Sequence, residues 1–127
     1  MRGNLLDTNT ILLAMAYPET LPEAARKAIL KGPNFLSVVS YWQVALKCAL
    51  GKIKVGNPGE WWADALEQMA ATALPLSPRH ITAVAKLPPH HDDPFGRMLI
   101  AQAQVEGLKI VTEDVMMERY GKTGNRE

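Results

Sequence analysis

Acidic side chains follow two short apolar runs that lie near opposite ends of the chain. Asp7 comes directly after Leu5 and Leu6, and Asp114 ends the run Ile-Val-Thr-Glu-Asp at 110–114. If both runs are strands of one open α/β sheet, their carboxyl ends meet where ligands bind in such folds. Crowded carboxylates repel each other, whereas Mg²⁺ prefers hard oxygen ligands of this kind. The two acids therefore indicate a divalent-metal site, and phosphate chemistry is the use that such a site suggests.

The same acids could also act as helix caps. An Asp at a helix start accepts a hydrogen bond from the backbone, and the sequence predicts helices after both Asp7 and Asp114. Asp93 stands before Pro94, which is typical of a helix N-cap, although its carboxylate could still reach the same cleft. Capping and a functional role are compatible at these positions, and Glu113 is expected to face solvent.

One lysine and three tryptophans allow either a structural or a functional interpretation. Lys47 lies four residues after Gln43, which places both side chains on one helix face. Lys47 could meet a phosphate there, or it could be solvated. The tryptophans are predicted to be core or interface anchors rather than platforms for stacked bases, and they are Trp42, Trp61 and Trp62.

Glycine and proline divide the chain into short apolar runs and longer helical patterns. Strands are predicted at residues 4–7, 35–37, 73–76 and 109–112. Helices are predicted at residues 8–16, 22–31, 39–50 and 60–71, from 78, from 94 to 105 or 106, and at 115–120. Short apolar strands that alternate with helices favour an α/β fold with a parallel sheet covered on both faces.

Length, charge and cysteine content set the broad class of the protein. The 127 residues are 47% apolar, and we predict one domain at 1–120 with a flexible tail at 121–127. The net charge of +1 gives no strong field, so nucleic acid would need a local patch. A single cysteine, with neither a signal peptide nor a long uncharged apolar run, favours a soluble cytoplasmic protein with no membrane partner.

Four sequence blocks, at residues 7–10, 37–47, 87–103 and 111–114, resemble the PIN domain. They are most similar to VapC-type toxins of bacterial toxin–antitoxin pairs, in order and spacing over nearly the whole chain. The resemblance implies a three-layer α/β/α fold around a short central parallel sheet of about four to five strands. It also implies an endoribonuclease that uses Mg²⁺ or Mn²⁺ to cut an RNA substrate. Such toxins commonly form homodimers, and a cognate antitoxin inhibits them by inserting its C-terminal segment into the active-site groove.

The resemblance assigns catalytic positions residue by residue. Asp7 matches the first acid of the family, at the end of the first strand. Asp114 matches the acid that follows the fourth strand, and Thr112 is the hydroxyl residue just before it. Other residues of the matching blocks are assigned supporting roles, namely Thr8, Asn9, Lys47 and Arg97.

Two positions depart from the family pattern. Gln43 stands where the family has a Glu, and Gly96 stands where it has an Asp. Gln43 carries no charge and cannot act as a base, and Gly96 offers no side chain. Asp93, one helical turn before Gly96, is the nearby acid that could compensate, so the expected metal ligands are Asp7, Asp93 and Asp114. Because ligand charge sets much of the metal affinity, we expect weak or absent metal binding and impaired activity.

Two other interpretations remain open. The first is a catalytically inactive PIN-fold module that binds an antitoxin or RNA without cutting it. The second is a haloacid-dehalogenase-like phosphatase, which also uses an Asp at a strand end. That class needs a second Asp two residues later, and this chain has Asn9 there.

Overall fold

The computed structural model describes residues 2–90 and 92–113. Within them it has a sheet of four parallel strands in the order β3-β2-β1-β4. The strands are β1 (Asn4–Leu6), β2 (Asn34–Ser37), β3 (Ala71–Leu74) and β4 (Lys109–Val111). The predictions of a helix at 115–120 and a tail at 121–127 lie outside the described residues, and so does Asp114.

Helices cover both faces of this sheet. They are α1 (Thr8–Ala16), α2 (Glu23–Lys31), α3 (Val38–Ala49), α4 (Pro58–Gln68), α5 (Pro78–Val84) and α6 (Pro94–Glu106), with a 3₁₀ turn at Pro18–Thr20 that was not predicted. None of these helices is long and apolar enough to cross a membrane.

The three layers follow from the alternation of side chains along the central strand. Neighbouring residues of a strand point to opposite faces, so Leu5 and Leu6 of β1 enter different cores. Leu5 packs in a cluster with residues of α6 such as Ile100. Leu6 packs in a second cluster with Ile11 of α1 and Trp61 of α4. The predicted three-layer α/β/α fold is therefore confirmed.

The predicted bounds of two neighbouring elements, a helix and the strand after it, are wrong. The sequence predicts a helix at 60–71 and a strand at 73–76, whereas α4 is Pro58–Gln68 and β3 is Ala71–Leu74. The helix starts earlier because the Asn57 side chain accepts a hydrogen bond from the Glu60 amide, at 3.0 Å, with a proline in the first position. It ends earlier because Ala70 adopts a left-handed conformation with φ of 49°. Alanine favours helix, so the sequence gives no sign of this stop. The other predicted bounds agree with the structure to within one residue.

A buried pair of amides lies at the amino ends of the two central strands. The Asn4 side chain donates to the carbonyl of Ala28, at 2.7 Å, and to Oδ1 of Asn34, at 2.9 Å. The Asn34 side chain donates to the carbonyls of Ile29 and Met69, both at 2.9 Å. The pair therefore joins β1 and β2 to the carboxyl-terminal ends of α2 and α4, on the sheet edge opposite to Asp7.

Replacing Asn34 with Leu should lower the free energy of unfolding by roughly 3–4 kcal/mol, since each buried polar group left without a partner costs about 1–3 kcal/mol. The affected groups are the Asn4 amide and two backbone carbonyls. Urea unfolding followed by circular dichroism measures the change. Thr72→Leu, on an exposed position of the adjoining strand, is the control and should change stability by less than about 0.5 kcal/mol. A loss below about 1 kcal/mol for Asn34→Leu would contradict a structural role for the pair.

Candidate active site

A polar groove of about 120 Å³ opens beside the carboxyl end of β1. Its walls come from three elements, which are the start of α1, one face of α3 and the first turns of α6. This is the sheet edge at which the sequence predicts a site. The lining residues are Asp7, Thr8, Asn9, Gln43, Lys47, Asp93, Gly96 and Leu99.

Asp7 is buried and connects three elements around the groove. One carboxylate oxygen accepts a hydrogen bond from the backbone amide of Thr10, at 2.8 Å, and so caps α1. The other accepts from the hydroxyl of Thr112, at 2.5 Å, a residue 105 positions away in the sequence. Asp7 therefore caps a helix and also lines the groove, as the sequence allowed. A carboxylate has about four lone-pair positions, so these two bonds leave acceptor capacity for a ligand.

Asp93 likewise caps a helix, α6, and lines the groove. Its carboxylate accepts a hydrogen bond from the amide of Phe95, at 3.1 Å, and Pro94 occupies the first helical position. Half-buried Asp93 lines the groove together with Asp7. Gly96 is buried in the same wall and contributes no side chain. Asp93 and Gly96 therefore line the same groove, and a compensating role for Asp93 stays a prediction.

Gln43 and Lys47 form the wall that belongs to α3. Both are half-buried and line the groove from the same helix face, as their spacing predicts. A buried hydroxyl pair, Ser40 of α3 and Thr8 of α1 at 2.8 Å, holds this wall against the start of α1. Sequence analysis did not single out Ser40. The available signal was a small polar residue on the same helix face as Gln43, one turn before it.

The described groove carries little negative charge. Its ionisable side chains are two carboxylates, Asp7 and Asp93, and one ammonium, Lys47, which leaves a formal charge of −1. The donor chemistry fits Mg²⁺ or Mn²⁺, because carboxylate and amide oxygens are hard ligands. However, no three His, Cys, Asp or Glu side chains come together as a metal-binding group within residues 2–90 and 92–113. The described residues therefore fit a metal by ligand type but supply few charges.

Two predicted site residues remain, Arg97 and Asp114. Arg97 does not line the groove, and its guanidinium donates to the carbonyls of Val84 and Pro88, both at 3.1 Å, and of Leu87, at 3.4 Å. It thereby fixes the loop that joins α5 to α6 and leads into Asp93. Asp114 is outside the described residues, so its predicted position in the groove stays a prediction.

The tryptophans divide into three environments. Trp61 is a core residue, as predicted, and Trp62 stacks on Tyr41 with ring centroids 5.2 Å apart. Trp42 is 60% exposed and does not belong to the core. Amphipathic spacing alone does not show which apolar position of a helix stays open, so the sequence could not separate it from the other two.

Comparison with known proteins agrees with this geometry. The PIN domain family matches residues 5–123, which is nearly the whole chain. No curated protein matches the chain. PIN domains are generally nucleases that typically use divalent metal ions, and acids at the carboxyl end of a central strand suit that chemistry. The chain therefore belongs to the PIN domain family.

Proposed function

We propose that this protein is a metal-dependent endoribonuclease toxin of a toxin–antitoxin pair whose activity is impaired. The observation that carries the proposal is the set of side chains that line the groove. It has carboxylates at Asp7 and Asp93, but Gln43 and Gly96 occupy wall positions where the sequence resemblance places two further acids.

The residues of the chain have distinct parts in this reaction. Asp7, Asp93 and Asp114 would hold a Mg²⁺ or Mn²⁺ ion, which supplies an activated water and neutralises charge on the phosphate when bound. Asp7 is oriented by the Thr10 amide and the Thr112 hydroxyl, so its carboxylate is fixed before any ligand arrives. Lys47, which lines the groove from α3, would offer its ammonium to a phosphate oxygen of the RNA backbone.

The impairment follows from charge. An acid at each of positions 43 and 96 would take the formal charge of the described groove from −1 to −3. Gln43 keeps an amide oxygen that a cation can accept as a neutral ligand, but it cannot take up a proton from water. Because metal affinity rises with the number of charged ligands, the groove as it stands should hold an ion weakly.

A second candidate is a PIN-fold module that binds an antitoxin or RNA without cutting. It is favoured by the hydrogen bonds with which Asp7 and Asp93 cap α1 and α6, because these give both acids a structural role that needs no metal. Under either candidate we propose, from the sequence resemblance, a cytoplasmic homodimer that a cognate antitoxin regulates.

Titration with MnCl₂ in a calorimeter, together with cleavage of a labelled single-stranded RNA, tests the proposal. We expect a dissociation constant weaker than about 10⁻⁴ M, because few charged ligands are present. We also expect slow cleavage that stops when EDTA is added or when Asp7 is replaced by Asn. Fast EDTA-sensitive cleavage would contradict the impairment. If neither metal binding nor cleavage is detected, the second candidate replaces the proposal.

A further inference from the structure

Trp42 presents an aromatic ring to solvent, whereas Trp61 is buried and Trp62 is half-buried. Trp42 is 60% exposed, whereas Trp61 is 6% exposed and Trp62 lies parallel to Tyr41, with 7° between the ring planes. Exposing an indole forfeits the burial of a large apolar surface, which is among the larger favourable contributions that a side chain makes to folding. The exposed ring is therefore a candidate contact for a ligand.

The orientation of this ring is fixed by one neighbour. Trp42 makes an edge-to-face contact with Phe95, with ring centroids 4.8 Å apart and 65° between the planes. Phe95 is itself anchored, since it packs partly buried against the core cluster of Leu5 and Ile100. An edge-to-face contact uses at most one face of the indole. The contact thus orients the ring and leaves it 60% exposed.

The aromatic pair connects two of the helices that form the groove. Trp42 directly precedes Gln43 on α3, and Phe95 stands between Asp93 and Gly96 at the start of α6. Those three neighbours line the groove, so the contact between Trp42 and Phe95 joins the two helices that carry these walls. A base that extends from a phosphate in the groove towards this contact would meet the exposed ring.

We propose that Trp42 is a stacking subsite for an unpaired nucleobase of the RNA that enters the groove. The inference rests on the proposed function, and it adds a contact to a base beside the phosphate contacts of the groove. An aromatic ring can stack on any base, but only when the base is not paired inside a duplex. Stacking would also supply affinity for RNA that the charges of this protein do not provide. Its net charge of +1 and the −1 of the described groove give phosphates little attraction.

Nuclear magnetic resonance of the indole N–H groups tests the proposal, because the three tryptophans give three signals. The Trp42 signal is assigned as the one lost in Trp42→Phe. The probes are a single-stranded RNA of twelve nucleotides, the same sequence as a duplex, and adenosine monophosphate, all with EDTA present. We expect the single strand and the mononucleotide to shift the Trp42 signal, and the duplex to leave it in place. Trp61 and Trp62 serve as internal controls and should not shift.

Affinity measurements on variants complete the test. Trp42→Ala should weaken binding of the single-stranded RNA by roughly 5- to 150-fold, the range of one base–aromatic stack. Trp42→Phe should retain most of the affinity. Leu46→Ala is the matched control, since Leu46 is an exposed apolar residue one turn further along α3, and it should not change affinity.

The outcomes separate the subsite from the nuclease. If RNA binds and Trp42→Ala binds equally well, the subsite is wrong and the proposed function stands. If RNA shifts the Trp42 signal and Trp42→Ala weakens RNA binding, but no RNA is cut when Mn²⁺ replaces EDTA, the ribonuclease proposal fails and the subsite stands. A Trp42 signal that responds to neither probe overturns the subsite. So does one that responds only to protein concentration, since a second copy of the chain would then cover the ring.

Discussion

Replacing Gln43 with Glu and Gly96 with Asp should make the groove bind Mn²⁺ more tightly and raise RNA cleavage by at least about 100-fold. Both positions line the groove that already contains Asp7 and Asp93, so each new carboxylate would join an existing pair. A tenfold gain in binding corresponds to ~1.4 kcal/mol, and a charged ligand beside a divalent ion should contribute at least that much. We therefore expect Mn²⁺ affinity to rise roughly 10- to 100-fold for each acid that is restored.

The same double variant should make stability depend on metal. Position 96 lies in the first turn of α6, where replacing glycine contributes about 0.5–1 kcal/mol and an acid at the helix start about 0.3–1 kcal/mol. Repulsion among the crowded acids opposes these gains when no cation is present. Thermal unfolding with Mn²⁺ and with EDTA should therefore give clearly different midpoints for the variant and similar midpoints for the native chain.

The control for this experiment keeps the atoms and removes the charge. Gly96→Asn with Gln43 left in place has side chains of nearly the same shape as the double variant, but both are neutral. It should show neither the gain in metal affinity nor the gain in cleavage. If the charged and neutral variants behave alike, positions 43 and 96 are not metal ligands and the assignment of the site is wrong.

Replacing Asp7 should separate the folding role of this acid from its role in the site. Asp7→Ala removes a helix cap worth ~0.5–2 kcal/mol and a hydrogen bond between the carboxylate and Thr112, a kind worth ~1.5–3 kcal/mol. We expect the free energy of unfolding to fall by about 2–4 kcal/mol. For Asp7→Asn the free energy of unfolding should fall by less than about 1 kcal/mol. Asn caps a helix as well as Asp does, and the hydroxyl of Thr112 can donate a hydrogen bond to the new side chain or accept one from it.

Metal binding and cleavage should respond in a different order. Asp7→Asn keeps the fold but loses the charge, so in the background of Gln43→Glu with Gly96→Asp it should lose metal affinity and most of the activity. Urea unfolding, Mn²⁺ titration and an RNA cleavage assay on the same preparations provide the three measurements. Thr112→Ser, which keeps the hydroxyl, is the control and should resemble the parent. Full activity in Asp7→Asn would exclude Asp7 from catalysis.

The position of the site could be predicted because it depends on local order in the chain. Asp7 follows an apolar strand and precedes a helix, and this order alone places its side chain at the carboxyl end of the sheet. Asp93 before Pro94 predicts a helix start in the same direct way. Gln43 and Lys47 share a face because they are four residues apart on a helix.

Other features depend on contacts that sequence spacing does not reveal. Helix α4 ends where it does because Ala70 has a left-handed backbone conformation, which is set by the surrounding fold. Arg97 does not line the groove, because its guanidinium donates to the carbonyl of Val84 at the end of α5 and to those of Leu87 and Pro88 in the following loop. Trp42 and Trp61 both fit a helical apolar pattern, and only the packing of neighbouring elements decides that one is open and the other covered.

The amide pair formed by Asn4 and Asn34 has a consequence for protein engineering. It stabilises the amino ends of the strands, on the side of the sheet away from the groove at their carboxyl ends. Side chains at positions 43, 47 and 96 can therefore be varied together, as in a combinatorial library, while the distant amides continue to secure the framework. The chain offers a ready scaffold for installing new hydrolytic chemistry, provided that Asn4 and Asn34 are left untouched.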